Sequence, residues 1–307
     1  MLQKILWAYH PGEEHTRALQ EKTLEVLTAL SAKQPVLIQP VHILPTELIA
    51  QEADLQEAFD VWLAGRRLEG MNPLRIVECM NAGVSARADA LAHFAAENRF
   101  DLVVVATHAN EGIDNLLAGS FSESLVSRSA VPIVAVSPST DPVHTVREVL
   151  VPTDFQEDAE AFFEHLLELA KALSAKVVVY HRFEPSLVAA MPVVAPEIPV
   201  DPDLVTRSVE EQRRGLIDRS RAWEVLARRH GVSAEFILDD TPGAAAKGIL
   251  DLAKAHHGGL IALPSRAHPL RRRILGSTAR TVLREACCPT VSVCLDKWKV
   301  LPEARPA

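Results

Sequence analysis

The amino-acid sequence predicts an α/β protein made of two doubly wound, five-stranded parallel-sheet domains. Its 307 residues suit about two ordinary domains, and an apolar content of 48% is enough for a core in each. A third observation indicates that the two domains are alike. The stretch GSFSESLVSRSAVPIVAV, which begins at Gly119, recurs as GSTARTVLREACCPTVSV from Gly276, with Gly-Ser, the apolar helix positions, the proline and the alternating valines at one constant offset.

The strands of both halves follow one plan. Each half contains five short apolar runs separated by helical patterns, in the order β-α-β-α-β-α-β-α-β. Continuous apolar strands that alternate with helices are typical of a parallel sheet covered on both faces. The predicted strands are residues 5–9, 36–44, 74–80, 101–107 and 131–137 in the first half and residues 148–153, 176–183, 234–239, 259–265 and 289–295 in the second half.

The helices between these strands repeat as well. After the first strand of the second half, AEAFFEHLLELAKAL places apolar residues at helical spacing. Long amphipathic helices are predicted at about 46–69 and 203–230. Gly83 and Gly243 then precede the next helix of their halves, so the correspondence extends beyond the repeated ending.

Two irregular stretches complete the domain assignment. The polar, proline-containing stretch 137–147 lacks periodicity and is interpreted as the linker, which gives domains at residues 1–140 and 146–298. Pro40 interrupts the second predicted strand of the first half. Since proline removes a hydrogen-bond donor from the ladder, we expect this strand either to end before Gln39 or to bulge there.

Composition and charge exclude several classes of function. The formal net charge of −8 argues against nucleic acid as the main partner, because phosphate binding needs clustered Lys and Arg. No apolar run approaches the roughly 20 residues that span a bilayer, and the N-terminal stretch does not resemble a signal peptide. These features predict a cytoplasmic protein without a membrane or nucleic-acid partner. The cysteines show no Cys-x-x-Cys spacing and are interpreted as free thiols, namely Cys79, Cys287, Cys288 and Cys294.

The order of several short motifs resembles that of a known family. VLVPTDF follows the linker, a histidine ends the second strand of each half, Gly-Ser opens the last helix, and CPTVSV closes the second half. Together they resemble the universal stress protein family, as a tandem of two domains over essentially the whole chain. The resemblance implies a sheet in the order 3-2-1-4-5, of the adenine-nucleotide-hydrolase-like kind. It also implies a cytoplasmic, stress-linked regulatory role without well-defined catalysis. Some members bind ATP and others do not.

The phosphate loop that the resemblance implies is incomplete in both halves. ATP-binding members carry Gly-x2-Gly-x9-Gly-Ser/Thr before the last helix, where glycines let the backbone approach the phosphates and the helix N-terminus attracts an anion. Counting back from the last glycine, the two earlier positions hold Ala106 and Ala109 in the first half and Leu263 and Arg266 in the second. We therefore expect ATP to bind more weakly than micromolar, or not at all.

The base pocket that the resemblance implies is divided between the halves. Family members place an aspartate after the first strand, where this chain has Asp154 in the second half and His10 in the first. A small apolar residue after the strand-two histidine lines the base, and the matching positions are Ile43 and Arg182. Neither half has the whole set.

The second half is expected to be the better ligand-binding half. It retains Asp154, and three consecutive arginines, residues 271–273, precede its last helix. The residues that the resemblance assigns to a nucleotide or another anion are Pro152, Thr153, Asp154, Arg266, Gly276, Ser277 and Thr278 in the second half and Ile43, Gly119 and Ser120 in the first.

Helix capping is an alternative interpretation of the same residues. Asp154 with Glu157, and Ser120 with Glu123, fit the spacing of a capping box, in which side chains satisfy free backbone N–H groups without any ligand. Ser277 also fits an N-cap. Because N-caps favour these residue types whatever the function, both interpretations stay open.

A zinc site is a further alternative in the first half. His10, His42 and His108 are predicted to follow strands one, two and four. In a parallel sheet all three would lie at the carboxyl end, where ligands bind, and three histidines can hold zinc. The family often has histidine at two of these positions without metal, so the assignment without a metal is preferred.

These features favour a binding and regulatory protein of the universal stress type with degenerate adenine-nucleotide sites and no certain cofactor. The alternative from another class is an ATP-hydrolysing or adenylate-transferring enzyme on the same fold. The chain shows no complete phosphate loop and no evident nucleophile paired with a general base, which argues against catalysis. A third alternative is a purely interacting or structural protein without a small ligand. The proline-rich segment 185–202 is interpreted as a lid, a dimer contact or a surface connection.

The repeated ending also predicts how the halves meet. In the order 3-2-1-4-5 the last strand lies at a sheet edge, and both last strands are short, apolar and nearly uncharged. An exposed edge of this kind invites pairing with another strand. The resemblance implies the same arrangement. We therefore expect residues 131–136 to pack against residues 290–295 in an internal pseudo-dimer, with a homodimer of whole chains as a further expectation.

Overall fold

A computed structural model describes residues 2–11, 14–107, 120–156, 158–185, 202–256, 259–265 and 276–294. The described elements of the first half are β1 (Lys4–Ala8), α1 (Glu14–Ser31), β2 (Leu37–Pro45), a 3-10 helix (Thr46–Gln51), α2 (Glu52–Leu63), β3 (Arg75–Cys79), α3 (Val84–Glu97), β4 (Leu102–Ala106), α4 (Ser120–Arg128) and β5 (Ile133–Val136). Those of the second half are β6 (Glu148–Pro152), α5 (Ala159–Leu173), β7 (Lys176–Arg182), α6 (Pro202–Arg229), β8 (Ala234–Asp239), α7 (Ala245–Ala255), β9 (Leu260–Ser265), α8 (Ser277–Glu285) and β10 (Thr290–Cys294).

The strands form one continuous sheet in the order β3-β2-β1-β4-β5-β10-β9-β6-β7-β8. Within each half the neighbouring strands are parallel and follow the predicted order 3-2-1-4-5. The two edges meet where β5 pairs antiparallel with β10 and Val134 lies opposite Val291. The predicted pseudo-dimer through the last strands is therefore confirmed, and the two sheets join into a single one.

Both faces of the sheet are covered by helices. On one face, α1, α2, α5 and α6 pack over a core that runs through both halves and contains Trp7, Phe163, Val134 and Val291, each of them fully buried. On the other face, α3 and α4 cover the first half, and α7 and α8 cover the second. Because one core crosses the junction, hydrophobic burial holds the halves together as well as the strand pairing does.

The linker between β5 and β6 is packed against the domains. Val143 and Val146 are each 3% exposed and belong to the shared core. The backbone N–H of Asp141 donates a hydrogen bond to the carbonyl of Cys287 at 2.7 Å. The linker therefore reinforces the junction in addition to connecting the domains.

Strand β2 runs through Pro40 without ending or bulging, so that expectation was wrong. Ile38 bridges to Met71, and pairing with β3 resumes where Val41 lies opposite Arg75, which leaves one extra residue on the β3 side. The backbone N–H and carbonyl of Ile38 face this side, and those of every second residue do the same. The nitrogen of Pro40 thus faces the interruption, where no ladder bond is lost.

The long helices were predicted with unequal success. In the second half α6 matches the prediction closely, whereas in the first half a 3-10 helix precedes α2, which ends at Leu63. Gly65 follows the end of α2 with a φ of 75°, a left-handed conformation that terminates helices, and Gly70 has a φ of 76° further along the same loop. None of the helices that the structure describes is long and apolar enough to cross a membrane.

Candidate functional site

Each half has a point where the strand order reverses, between β1 and β4 in the first half and between β6 and β9 in the second. Ligands of open α/β sheets bind outside the carboxyl ends of the strands at such points. Tyr9 and His10 follow β1, and Thr153 and Asp154 follow β6. The structure thus places the predicted strand-one residues of both halves at equivalent sites.

The strand-two histidines make the same hydrogen bond in both halves. His42 Nδ1 donates to the carbonyl of Tyr9 at 3.1 Å, and His181 Nδ1 donates to the carbonyl of Thr153 at 2.7 Å. Because a carbonyl only accepts, each ring carries its proton on Nδ1 in this arrangement. The shared bond makes positions 41 and 43 of the first half equivalent to positions 180 and 182 of the second.

A cavity of about 190 Å³ lies at the reversal point of the first half. Its walls come from the ends of β1, β2 and β4 and from α1, α3 and α4. Most of the lining side chains are apolar or aromatic, among them Val41, Ile43, Leu91 and Phe121. Ile43, which the resemblance assigns to a base pocket, is thus one of the lining residues of this cavity.

Polar side chains also line this cavity, namely Arg87, Gln20, His10, His42, Ser122 and, through its hydroxyl, Tyr9. Burial, opposed by the hydrogen bond to Tyr9, lowers the pKa of His42 to about 4, and the nearby His10 and Arg87 add to the effect. Loss of solvent around the ring likewise holds the pKa of His10 below its usual value. Both rings are therefore neutral at pH 7, and Arg87 carries the positive charge.

The equivalent space of the second half is filled by side chains. Tyr180 and Arg182 stand where the first half has Val41 and Ile43, and the Arg182 side chain is 8% exposed. The Tyr180 hydroxyl donates to Asp239 Oδ2 at 2.5 Å, and Arg182 Nη2 lies 3.3 Å from the same oxygen. Arg182 Nη2 also donates to the carbonyl of Ala244, the N-cap residue of α7, at 3.4 Å.

The charges of this cluster support one another. Burial, together with the hydrogen bond to Asp239, raises the pKa of Tyr180 to about 12. Burial also acts to raise the pKa of Asp239, but hydrogen bonds from Thr241 and Tyr180 and the charge of Arg182 outweigh it and hold the pKa below its usual value. The cluster is thus a protonated phenol and a guanidinium around one carboxylate.

The helices beside the two sites differ at one position, where α3 of the first half has Arg87 and α7 of the second half has Gly248. Arg87 donates its backbone N–H to the carbonyl of Gly83 in the first turn of α3, and Gly248 donates to that of Ala244 in α7. The two positions are therefore equivalent. A Cβ atom at Gly248 would lie 2.7 Å from Arg182 Nη2 and would overlap the Tyr180 hydroxyl. Glycine leaves room for the arginine that reaches in from the strand.

Asp154 and Thr153 form a local turn at the end of β6, beside Pro152. Asp154 is exposed, and its Oδ1 accepts a hydrogen bond from the backbone N–H of Gln156 at 3.0 Å. Thr153 Oγ1 accepts from the N–H of Phe155 at 3.0 Å. Helix α5 begins only at Ala159, so the capping-box interpretation of Asp154 was wrong.

The start of α8 differs from the N-cap interpretation of Ser277. Gly276 is the N-cap and Ser277 is the first helical residue. Both are exposed, and Thr278 is half-buried. The helix start remains open to solvent, but the residues that would complete a phosphate loop before it lie outside the described part of the chain.

Several predicted residues cannot be placed in this way. Gly119, Arg266, His108 and Glu157, the arginines at 271–273 and most of the proline-rich segment, residues 186–201, lie outside the described residues. Ser120 begins α4, and its side chain is not described.

The zinc alternative is tested only in part. The rings of His10 and His42 lie 5.8 Å apart. Among the residues that the structure describes, no group of three or more His, Cys, Asp and Glu side chains could hold a metal ion.

The strand register corrects one equivalence that was counted from the last glycines. Ala106 lies opposite Val136 in β5, and Pro264 lies opposite Val293 in β10. Because Val136 and Val293 are equivalent in the repeated ending, Pro264 rather than Leu263 corresponds to Ala106. The stretch between β9 and α8 is therefore one residue shorter than its counterpart.

Four residues at the two sites were not predicted: Gln20, Arg87, Tyr180 and Gly248. One of them, Tyr180, carries a detectable signal, because Tyr180 and Arg182 flank the histidine in YHR where the first half has VHI. A tyrosine and an arginine at the base-lining positions predict a filled pocket. Gln20 and Arg87 lie within helices, where the sequence alone does not show which residues reach the sheet end.

The fold and the site define a tandem α/β protein in which two doubly wound domains, joined through their last strands, each present a reversal-point site. The model of the universal stress protein family matches residues 1–137 and 145–293, and the chain belongs to this family.

Solved structures support the same fold. The chain is similar to a universal stress protein from Archaeoglobus fulgidus, with a TM-score of 0.61 and 15% identity over 95% of this chain and 98% of that one. It is also similar to a functionally unknown protein from Pseudomonas aeruginosa, with a TM-score of 0.58 and 12% identity over 97% and 95%. A putative universal stress protein from the same species gives a TM-score of 0.57 and 12% identity over 97% and 95%. Comparison with curated proteins found no match.

Proposed function

We propose that this chain is a stress-response binding and regulatory protein that acts in the cytoplasm and takes a small ligand in the cavity of its first half. The observation that supports the proposal is the position of that cavity, at the carboxyl ends of β1, β2 and β4 where the strand order reverses. Membership of the universal stress protein family supplies the functional class.

The first half is the proposed ligand-binding half, which reverses the ranking expected from the sequence. Asp154 and the arginines suggested the second half, but Tyr180 and Arg182 occupy the space there that the cavity occupies in the first half. Since neither half retains the earlier glycines of the phosphate loop, we propose that ATP binds more weakly than micromolar.

The protein is proposed to bind its ligand without turning it over. The polar side chains around the cavity are one arginine, two neutral histidines, an amide and the hydroxyls of Ser122 and Tyr9, and the Nδ1 proton of His42 is held by the Tyr9 carbonyl. The earlier glycines of the phosphate loop are missing from both halves, which argues against ATP turnover. An ATP-hydrolysing enzyme on the same fold is the alternative.

Calorimetric titration with ATP, ADP and AMP, each with and without magnesium, tests the proposal alongside a phosphate-release assay. Binding without release supports a binding and regulatory protein, whereas turnover supports the enzyme. If no nucleotide binds and a small carboxylate such as benzoate does not bind either, the chain is a purely interacting or structural protein without a small ligand.

The position of the site is tested by giving the first half the residues of the second. Val41→Tyr fills the cavity with an uncharged ring, and the double variant Val41→Tyr, Ile43→Arg reproduces both side chains that fill the second half. Both variants are expected to abolish binding. Leu37→Arg is the control, because Leu37 begins the same strand and is 37% exposed. Binding that survives both cavity changes would place the ligand elsewhere.

A further inference from the structure

The cavity of the first half contains a buried amide that lacks an acceptor. Gln20 is 2% exposed and lines the cavity, and its Oε1 accepts a hydrogen bond from Trp7 Nε1 at 3.1 Å. Because an indole N–H only donates, this bond fixes which end of the amide is oxygen. Gln20 Nε2 has no hydrogen-bond partner among the described residues. A buried donor without an acceptor is destabilising, so this wall favours a molecule that brings an oxygen.

The charge of the cavity is a single positive one. Arg87 lines it, forms no ion pair within the described part of the chain, and has a buried Nε without a hydrogen-bond partner there. His10 and His42 are neutral at pH 7, since their pKa values are lowered. None of the described lining residues is Asp or Glu. The complementary molecule therefore carries one negative charge.

The volume of the cavity limits the size of that molecule. At about 190 Å³ it slightly exceeds the roughly 150 Å³ of an apolar cavity that holds benzene. Sites for drug-sized ligands usually have about 300–1,000 Å³. The described cavity thus accommodates one ring or a branched apolar group, with Val41, Ile43 and Phe121 against it.

We infer that this cavity binds a compact organic carboxylate whose apolar body is a single ring or a branched chain, with Arg87 and Gln20 contacting the carboxylate oxygens. The inference rests on the proposed function and names the class of ligand for the same site. A guanidinium pairs strongly with a carboxylate, and the water-poor apolar walls strengthen the pairing. A nucleotide carries more charge than one arginine balances and more bulk than the described cavity holds.

Benzoate and benzamide, titrated by ligand-observed NMR, test the charge of the ligand at nearly constant shape. We expect benzoate to bind with a dissociation constant below about 1 mM and benzamide to bind about tenfold more weakly or worse. Loss of benzoate binding in Val41→Tyr, which fills the cavity without adding a charge, places benzoate in the cavity. Equal affinity for the two compounds, or no benzoate binding, overturns the inference.

Variants of Arg87 test the pairing itself. Arg87→Gln is expected to weaken benzoate binding about tenfold and to leave benzamide binding unchanged, whereas Arg87→Lys keeps the charge and most of the affinity. Arg66→Gln is the matched control, because this arginine belongs to the same half and its side chain is 48% exposed. An Arg87→Gln variant that binds benzoate as well as the parent overturns the pairing.

AMP separates this inference from the proposed function. If AMP binds, Val41→Tyr abolishes that binding and benzoate does not bind, the cavity is still the ligand site and only the carboxylate class is wrong. If neither AMP nor benzoate binds, the proposed function fails as well.

Discussion

The first half keeps Val41 and Ile43 on either side of its strand-two histidine, and the second half has Tyr180 and Arg182 in their places. The strand order and the histidine hydrogen bond are the same in both halves. Yet one reversal point is a cavity and the other is a packed polar cluster. The difference teaches that a few side chains, on an unchanged backbone plan, decide whether this fold offers a ligand site.

The two sites also differ in the element that supplies the arginine. Arg87 reaches its site from helix α3, and Arg182 reaches the other from strand β7, where Asp239 neutralises it. The first half offers Arg87 no described carboxylate. A ligand anion can replace that missing carboxylate in the first half, whereas in the second half the protein supplies its own.

The comparison depends on the two halves being one folded unit, and the junction therefore carries the largest expected effect. The double variant Val134→Lys, Val291→Lys puts two charges at positions that are fully buried and face each other across β5 and β10. Burying unpaired charges should lower the free energy of unfolding by about 5 kcal/mol or more, with aggregation or separated halves. Urea denaturation and gel filtration measure both.

Val61→Lys is the control for the junction variant, because Val61 is 70% exposed. It should leave the unfolding midpoint within a few tenths of a molar unit of the parent. Unchanged stability and compactness of the double variant would show that the halves are not held together at this strand pair.

The buried histidine of the first half predicts an acid-sensitive site. The pKa of His42 is about 4 in the folded protein, against 6.5 for an ordinary histidine, so the unfolded chain binds the proton more readily between these values. Stability is therefore lost as the pH falls from 6.5 toward 4, by up to about 3 kcal/mol. His42→Gln removes the titrating ring. Urea denaturation across this range should show a flatter pH dependence in the variant, and parallel curves would contradict the assignment.

A smaller change in stability is expected at Gly248, which lies against the filled site of the second half. Gly248→Ala places a methyl group against Tyr180 and Arg182, and we expect it to destabilise the protein by about 2 kcal/mol. Gly215→Ala is the matched control, because Gly215 also lies in a helix and has nothing within 4 Å of its Cβ position. It should stabilise the protein by about 1 kcal/mol. If the two variants changed the free energy of unfolding equally, the site of the second half would have room for an additional methyl group.

The smallest expected effect is the conversion of the second half into the first. The double variant Tyr180→Val, Arg182→Ile empties the second site but leaves Asp239 without its guanidinium. Asp239→Val and Gly248→Arg are therefore added, so that the positive charge comes from the helix, as Arg87 supplies it in the first half. We expect this quadruple variant to gain a second, weaker benzoate site, and NMR titration should show the stoichiometry rise from one to two. A stoichiometry of one would show that features other than these four side chains separate the halves.

The fold was predictable because its signals are local and repeated. Apolar runs, helical periodicity and the duplicated ending predicted the strands. The resemblance to the universal stress protein family implied the order within each half, and the junction followed from that order and from the uncharged last strands. The failures have long-range causes. Pro40 is tolerated because of an extra residue on the neighbouring β3 side, and α2 ends early because Gly65 adopts a left-handed conformation.

The site was predictable only at the strand ends. Ile43 was assigned to a base pocket because it follows the strand-two histidine, and in the structure it lines the cavity. The preference for the second half came from Asp154, which in the structure bonds within its own turn. A motif shows which residue types are present at given positions. It does not show whether neighbouring side chains fill the pocket between them.

The two-domain plan and the strands follow from the sequence alone, because they depend on the periodicity of residues close together in the chain and on a repeated ending. The strand order within each half was implied by the family resemblance, and the pairing of β5 with β10 followed from it because both last strands are apolar and uncharged. Only the tertiary structure decided which half holds a cavity. That outcome depends on Arg87, Gln20, Tyr180 and Gly248, which come from different helices and strands. Whether they leave a space or fill it depends on three-dimensional distances between side chains, which no local pattern contains.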